Sequence, residues 1–344
     1  MGRARRARRI AAAAAYGGGL GFAGVGAAGL VGYWTIKAEA RHARRRIGKP
    51  FETFPDASDR YGVGVGDPID LVVLGDSLAA GVGSQSRYET IGGILAVGIA
   101  ALAGRPVRLT NVAASGAEAS WLEEQVSRAL AEVPAPHCAV ISIGGNDVTH
   151  RIDRAVSVRH LEHAVRRLRQ TGAEVVVGTC PDLGTIEPLA QPLRLLVRRW
   201  ARDMAAAQTV AVVEAGGRTV SLGDLLGPHF VAMPEEMFSA DRFHPSPAGY
   251  AQAAAALLPS VATALGLWPV DPEEPDPDRL RGEGVTSVAD AATRAVRMPG
   301  SEVSGADVGG RERGPGGRWA MLRRRLRLVP DSARVMAQDA IDDD

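Results

Sequence analysis

The stretch Leu71–Ser84, LVVLGDSLAAGVGS, decides how the chain is read. Four apolar residues, Leu71–Leu74, run directly into Gly75-Asp76-Ser77-Leu78, and Gly81 and Gly83 follow at once. A short continuous apolar run broken by a glycine turn is the pattern of a parallel strand buried on both faces. Its carboxyl end opens into a loop, and in open α/β sheets that edge is where chemistry sits. Taken alone, Ser77 fits two roles, a nucleophile at that edge or the N-cap of the next helix.

Outward from this stretch, strands and helices alternate as a parallel sheet with crossover helices requires. Strands are expected at Leu71–Leu74, Val107–Val112, Ala139–Ile143, Val175–Thr179 and Thr209–Glu214. Helices are expected at Gly92–Ala103, Ser120–Val133, Val158–Gln170, Leu195–Ala207 and Pro247–Leu265, with Ser221–Leu226 as a short loop or turn. The second of these is amphipathic, offering Trp121, Leu122, Val126, Ala129, Leu130 and Val133 to one face. Gly172 is placed to end the third. The apolar, arginine-bearing segment from Leu183 to Met204 is long enough to wall a substrate pocket, and Leu183–Arg199 bears on substrate size.

The whole chain has 344 residues, 46% of them hydrophobic, enough for one sizeable core with appendages. Its formal net charge of +1 gives no global reason to bind nucleic acid, although arginines crowd both ends. The two cysteines, Cys138 and Cys180, form no ligand-like pair, which argues against structural zinc; at opposite ends of neighbouring strands they lie beyond disulfide reach.

Residues 1–9 hold five arginines, and no charge follows from Ile10 to Ile36. As a helix, 10–36 would extend about 40 Å, long enough to cross a bilayer, with Tyr33-Trp34 as an interfacial belt. It reads as a single-pass anchor whose side is undecided. The competing reading is a signal peptide cleaved at Ala38-Glu39-Ala40, which would leave a secreted protein. Residues 37–68 read as a basic and Pro/Gly linker, 69–267 as the folded domain, and 268–316 as a linker too polar to fold alone. Within 317–330, Trp319, Leu322, Leu326 and Val329 share one face of a basic amphipathic helix that could lie on an anionic membrane or dock on the domain; 331–344 is an acidic-ended tail.

Four separated pieces converge on one sheet edge: Ser77, Gly116 after the second strand, Asn146 in Gly144-Gly145-Asn146-Asp147 after the third, and Asp241 with His244 in Asp241-Arg242-Phe243-His244-Pro245-Ser246. Acyl transfer needs a hydroxyl nucleophile, a base, an acid to orient that base, and donors for the oxyanion. This set contains each part. The chain resembles the GDSL esterase and lipase family, the SGNH hydrolases, whose four blocks appear in order over roughly residues 69–267.

The resemblance implies a flavodoxin-like, three-layer α/β/α sandwich with a five-stranded, mostly parallel sheet. It implies Ser77 as nucleophile, His244 as general base and Asp241 as the residue orienting the imidazole, without metal or organic cofactor. The backbone amides of Ser77 and Gly116 and the side-chain amide of Asn146 would form the oxyanion hole. Asp182, after Cys180, is expected to shape the pocket rather than react, while His150, His160 and His229 read as structural or solvated. The expected function is serine ester hydrolysis on an ester-bearing small molecule, a lipid or an acylated glycan. Two alternatives stand beside it, an acyltransferase using the same residues and a catalytically silent membrane-associated scaffold.

Overall fold

The computed structural model describes residues 34–42, 45, 53–267 and 302–303. Inside its sheet, β2 (Ile69–Gly75) is flanked by the parallel strands β3 (Val107–Asn111) and β4 (Cys138–Ser142). Next to β4 come β5 (Glu174–Gly178) and then β6 (Arg218–Val220), both parallel. Two short strands extend the edges. β1 (Asp59–Tyr61) pairs antiparallel with β3, and β7 (Glu302–Val303) pairs parallel with β6. The order β1-β3-β2-β4-β5-β6-β7 therefore corrects the expected five-stranded sheet to five parallel strands with two added edge strands.

Alternation along β2 builds two cores. Leu71 and Val73 point into one hydrophobic cluster and Val72 and Leu74 into the other, all at 0% exposure. On the first face lie α3 (Ile91–Ala103), α8 (Leu222–Ala232) and α10 (Pro247–Ala264); on the second lie α4 (Leu122–Glu132) and α6 (Arg154–Gln170). The result is the expected three-layer arrangement. Because β3 and β4 flank β2 on opposite sides and their crossover helices take opposite faces, a crevice opens at the carboxyl end of β2.

Four of the five expected strands are present, and the fifth is displaced. Thr209–Glu214 is the last part of α7 (Leu193–Glu214), and the strand is Arg218–Val220 beyond the Gly216-Gly217 turn. Residues Thr209 to Val212 are all buried, so neither a period of two nor one of 3.6 is visible there, and the β-branched composition misleads. Ser221–Leu226, expected as a loop or turn, caps and begins α8. Leu222, Leu225, Leu226 and Phe230 have helical spacing, which Pro228 inside the helix obscures. Trp121 is 49% exposed rather than part of the buried face of α4. Gly172 does turn the chain after α6, at φ +87°.

Within the expected linker 37–68, Asp59–Tyr61 is an edge strand too short to carry a periodic signal, anchored by Tyr61, whose hydroxyl donates to Ala57 O at 2.7 Å. Residues 34–42 form helix α1, with Ile36 and Ala40 against the first core and Glu39 accepting the Leu193 N–H at 3.0 Å. Most of the expected anchor 10–36, the basic segment 317–330 and the tail 331–344 lie outside the described residues. Among the described residues no helix is long and apolar enough to cross a membrane. Cys138 and Cys180 are both buried and free.

Candidate active site

Gly75 is fixed by β4. It sits at φ +137°, and a Cβ there would lie 1.9 Å from Ser142 O, so no side chain fits where β2 turns out of the sheet. Its N–H donates to Oε1 of the buried Gln125 at 2.7 Å, and its carbonyl accepts from Nε2 of the same side chain at 2.9 Å. The turn then feeds the one-turn helix α2 (Ser77–Ala80), capped by Asp76, whose Oδ1 accepts the Leu78 N–H at 3.0 Å. Ser77 is thus the first residue of a helix at the sheet edge, and it is half-buried.

Past α2, Gly81 adopts φ +87° and the chain loops back so that the Gly81 and Val82 N–H groups both donate to Ser77 O at 3.1 Å. A Cβ on Gly83 would meet Pro245 O at 2.9 Å, so this loop lies directly against the segment that carries His244. The Tyr250 hydroxyl, in fully buried surroundings, donates to Val82 O at 2.7 Å and ties α10 to the same loop.

Asp241 and His244 share a tight turn closed by Ser239 N donating to His244 O at 2.8 Å. Asp241 Oδ2 lies 2.6 Å from His244 Nδ1, while Oδ1 accepts the Phe243 and His244 N–H groups, both at 2.9 Å, and lies 2.8 Å from Ser239 Oγ. Burial of Asp241 by itself raises its pKa; hydrogen bonds from the His244 ring and from the Phe243 and His244 backbone outweigh this and hold the carboxyl below its usual range. The aspartate side chain is at 0% exposure and the histidine at 17%, so the ring's far edge remains accessible.

Asn146 lies near the start of α5 (Gly145–His150), which follows β4. Its Nδ2 donates to Ala117 O at 2.9 Å, linking it to the turn that contains Gly116. Gly116 has φ +83° with open space where a Cβ would project. That glycine therefore answers a backbone need, and the site beside it is unobstructed. Asp147 faces the other way: both of its oxygens accept the Ala119 N–H, at 3.2 and 3.1 Å, and bind the same loop to α5.

Ser77, Asn146 and His244 line one cavity of about 90 Å³, together with Asp76 and Asp182. Gly116 is not among its lining residues. The apolar walls come from Leu78, Leu183, Ile186, Leu222, Phe230 and Phe243, so the segment after Asp182 does border the cavity, and α8 adds a wall where the sequence pattern suggested a loop. Asp182 accepts from Gly184 N at 2.9 Å and from Arg198 Nε at 3.0 Å, which makes it a brace for this segment. His150 pairs with Glu118 at 2.7 Å on the surface.

Three supports were not assigned a part in the site from the sequence. Gln125 joins α4 to Gly75. Gln208, on α7, accepts the Cys180 N–H at 2.7 Å and donates to Ile143 O at 2.9 Å, sewing together the exits of β4 and β5. Asp76 is fully enclosed; burial pushes its carboxyl up to about 6, opposed by backbone N–H groups of Leu78 and Gly145 and reinforced by the nearby Asp147 charge. A polar residue on the apolar stripe of a helix is the only hint the glutamines leave. Among the described residues no cluster of His, Cys, Asp or Glu could hold a metal ion.

The sequence matches the family model described as GDSL-like lipase/acylhydrolase over residues 73–252. It is 43% identical over 268 residues to the GDSL-like esterase Rv1075c of Mycobacterium tuberculosis, covering 75% of this chain and 85% of that protein. Among solved structures, it is similar to TesA, with 24% identity, a TM-score of 0.44 and coverage of 58% of this chain and 99% of that one. It is also similar to Axe2, an acetyl xylan esterase from Geobacillus stearothermophilus, with 18% identity, a TM-score of 0.41 and coverage of 60% and 99%. The chain belongs to the GDSL-like lipase/acylhydrolase family. Its reaction class is the hydrolysis of an ester.

Proposed function

We propose that the protein is a serine esterase for short acyl groups, working through an acyl-enzyme on Ser77. The observation that carries this reading is that Ser77, Asn146 and an Asp241-paired His244 line one small, largely apolar cavity. In the first step His244 Nε2 takes the Ser77 proton as Oγ attacks the ester carbonyl, and the imidazolium then gives that proton to the departing alcohol oxygen. In the second step His244 takes a proton from water, hydroxide attacks the acyl carbon, and the proton returns to Ser77 Oγ as the acid leaves. Asp241 holds Nδ1–H and so keeps Nε2 free to accept.

Negative charge on the carbonyl oxygen is met by the N–H of Ser77, the N–H of Gly116 and Nδ2 of Asn146. Ser77 and Asn146 each begin or nearly begin a helix that leaves the carboxyl end of a strand, which brings donors to this edge. A cavity of about 90 Å³ is well below the size of an ordinary ligand site, which suits acetyl to butyryl chains rather than long acyl tails. Replacing Ser77 with Ala tests the mechanism: nitrophenyl butyrate turnover should disappear with the circular dichroism spectrum intact, whereas undiminished turnover contradicts it. Resolution of the acyl-enzyme by an added alcohol, measured as ester exchange exceeding acid release, would identify a transferase instead.

The proposed location rests on the sequence. The uncharged span 10–36 between basic clusters would hold the enzyme at a membrane, its last residue Ile36 already packing against the domain core. Recovery of the full chain in the membrane fraction supports this reading, and its recovery in culture fluid as a shortened chain supports signal cleavage.

A further inference from the structure

Beside the small cavity lies a second, larger groove of about 680 Å³, lined by Thr185, Glu187, Arg194, Phe230, Asp241 and Arg242 among others. Thr185 and Phe230 line both spaces, so the groove continues the cavity outward. We propose that this groove is the alcohol subsite of the esterase and that it takes an alcohol bearing a phosphate or carboxylate, held by Arg194 and Arg242. The inference rests on the serine-esterase reading above.

The placement follows from the chemistry of proton return. The leaving oxygen receives its proton from His244, so the alcohol lies beside the turn that carries that residue, and Asp241 and Arg242 of the same turn border the groove. The inner cavity is small and apolar, as an acyl chain requires; the outer groove has the dimensions of an ordinary ligand site and carries charge.

Arginine decides the kind of alcohol. Arg194, near the start of α7, donates Nη2 to Glu187 O at 2.7 Å and approaches Ile186 O at 3.5 Å. Its Nε is buried and, among the described residues, has no hydrogen-bond partner. Arg242 is fixed at φ +55°, a left-handed conformation rare for arginine, which its N–H maintains by donating to Ser239 O at 2.9 Å. Its guanidinium meets Glu187 through Nη1 at 3.7 Å, a long and weak ion pair, and the arginine side chain is 63% exposed, so the group remains available. Of the two carboxylates that line the groove, Asp241 is at 0% side-chain exposure and engaged by His244 and its own turn, so two guanidinium groups stand against the one exposed carboxylate of Glu187, and their planar fork matches phosphate and carboxylate oxygens.

The test compares kcat/KM of the full chain on three butyrate esters, of glycerol, glycerophosphate and lactate, with nitrophenyl butyrate as a control. The anionic esters should be preferred over the glycerol ester by about tenfold, the gain of one charge-assisted contact, and whichever of the two is better identifies phosphate or carboxylate. In Arg242→Asn, whose asparagine suits the same backbone conformation, that ratio should fall to near one. Arg194→Met should reduce it as well; because Arg194 also braces the Ile186–Glu187 backbone, the Arg242 variant carries the decision. Equal rates on charged and neutral esters, a preference for the glycerol ester, or a preference that survives Arg242→Asn would overturn the subsite. Hydrolysis of nitrophenyl butyrate without that preference removes the subsite alone, whereas no hydrolysis of any ester removes the serine-esterase reading and the subsite with it.

Discussion

The Asp241 carboxylate divides its work: Oδ2 stands 2.6 Å from His244 Nδ1, while Oδ1 accepts two backbone N–H groups of the same turn. The second set of bonds prevents the carboxylate from rotating, so the histidine meets a fixed acceptor. In Asp241→Asn the side-chain oxygen would stay with the backbone donors and the amide NH₂ would face Nδ1. The ring would then carry its proton on Nε2, where it cannot receive one from Ser77. We expect kcat on nitrophenyl butyrate to fall by roughly 10²–10⁴-fold with folding retained, checked by steady-state kinetics and circular dichroism.

Asp241 and Asp76 impose opposite pH dependences on stability. Asp241 is held below its usual range, so its contribution is present above the unfolded pKa near 4 and is lost as pH falls below it. Asp76 is raised to about 6, so the native state keeps a proton that the unfolded chain has lost, and stability falls as pH rises from about 4 to 6. Asp76→Asn removes only the second effect. The unfolding free energy of the natural protein minus that of the variant should shrink by about 2 kcal/mol between pH 4 and 7 in urea titrations.

Gly75 and Gly116 should separate by experiment. A methyl group on Gly75 would overlap Ser142 O, and Gly75→Ala is expected to cost at least about 3 kcal/mol or prevent folding. Gly116→Ala meets open space and pays only for its left-handed backbone, about 1–2 kcal/mol. Thermal unfolding of the two variants measures the difference directly.

How far the sequence could be read depended on what each residue does locally. Four parallel strands announce themselves as apolar runs, and Ser77, Gly116 and Asn146 follow three of them, whereas Asp241 and His244 follow no strand and only the family resemblance singles them out. Arg218–Val220 is not legible, because a three-residue strand with a charged first residue has no period, while the buried end of α7 imitates one. Gln125 and Gln208 also escape, since their purpose exists only where distant backbone groups meet them.

Those glutamines carry their own prediction. Gln208→Leu preserves volume but strands Ile143 O and the Cys180 N–H in the interior. A loss of roughly 2–4 kcal/mol is expected from two unpaired buried groups, read by urea denaturation.

Asn146→Ala removes one proposed oxyanion donor and its bond to Ala117 O. We expect kcat to fall by roughly 10²–10³-fold with a small change in KM, because the donor is worth most when the oxygen is charged.

The most direct test is to treat the folded full chain with a fluorophosphonate and locate the adduct by peptide mass spectrometry. The account predicts one phosphonyl group on Ser77, formed as esterase activity disappears and absent from Ser77→Ala. An active enzyme that loses its activity without modification at Ser77 would contradict it.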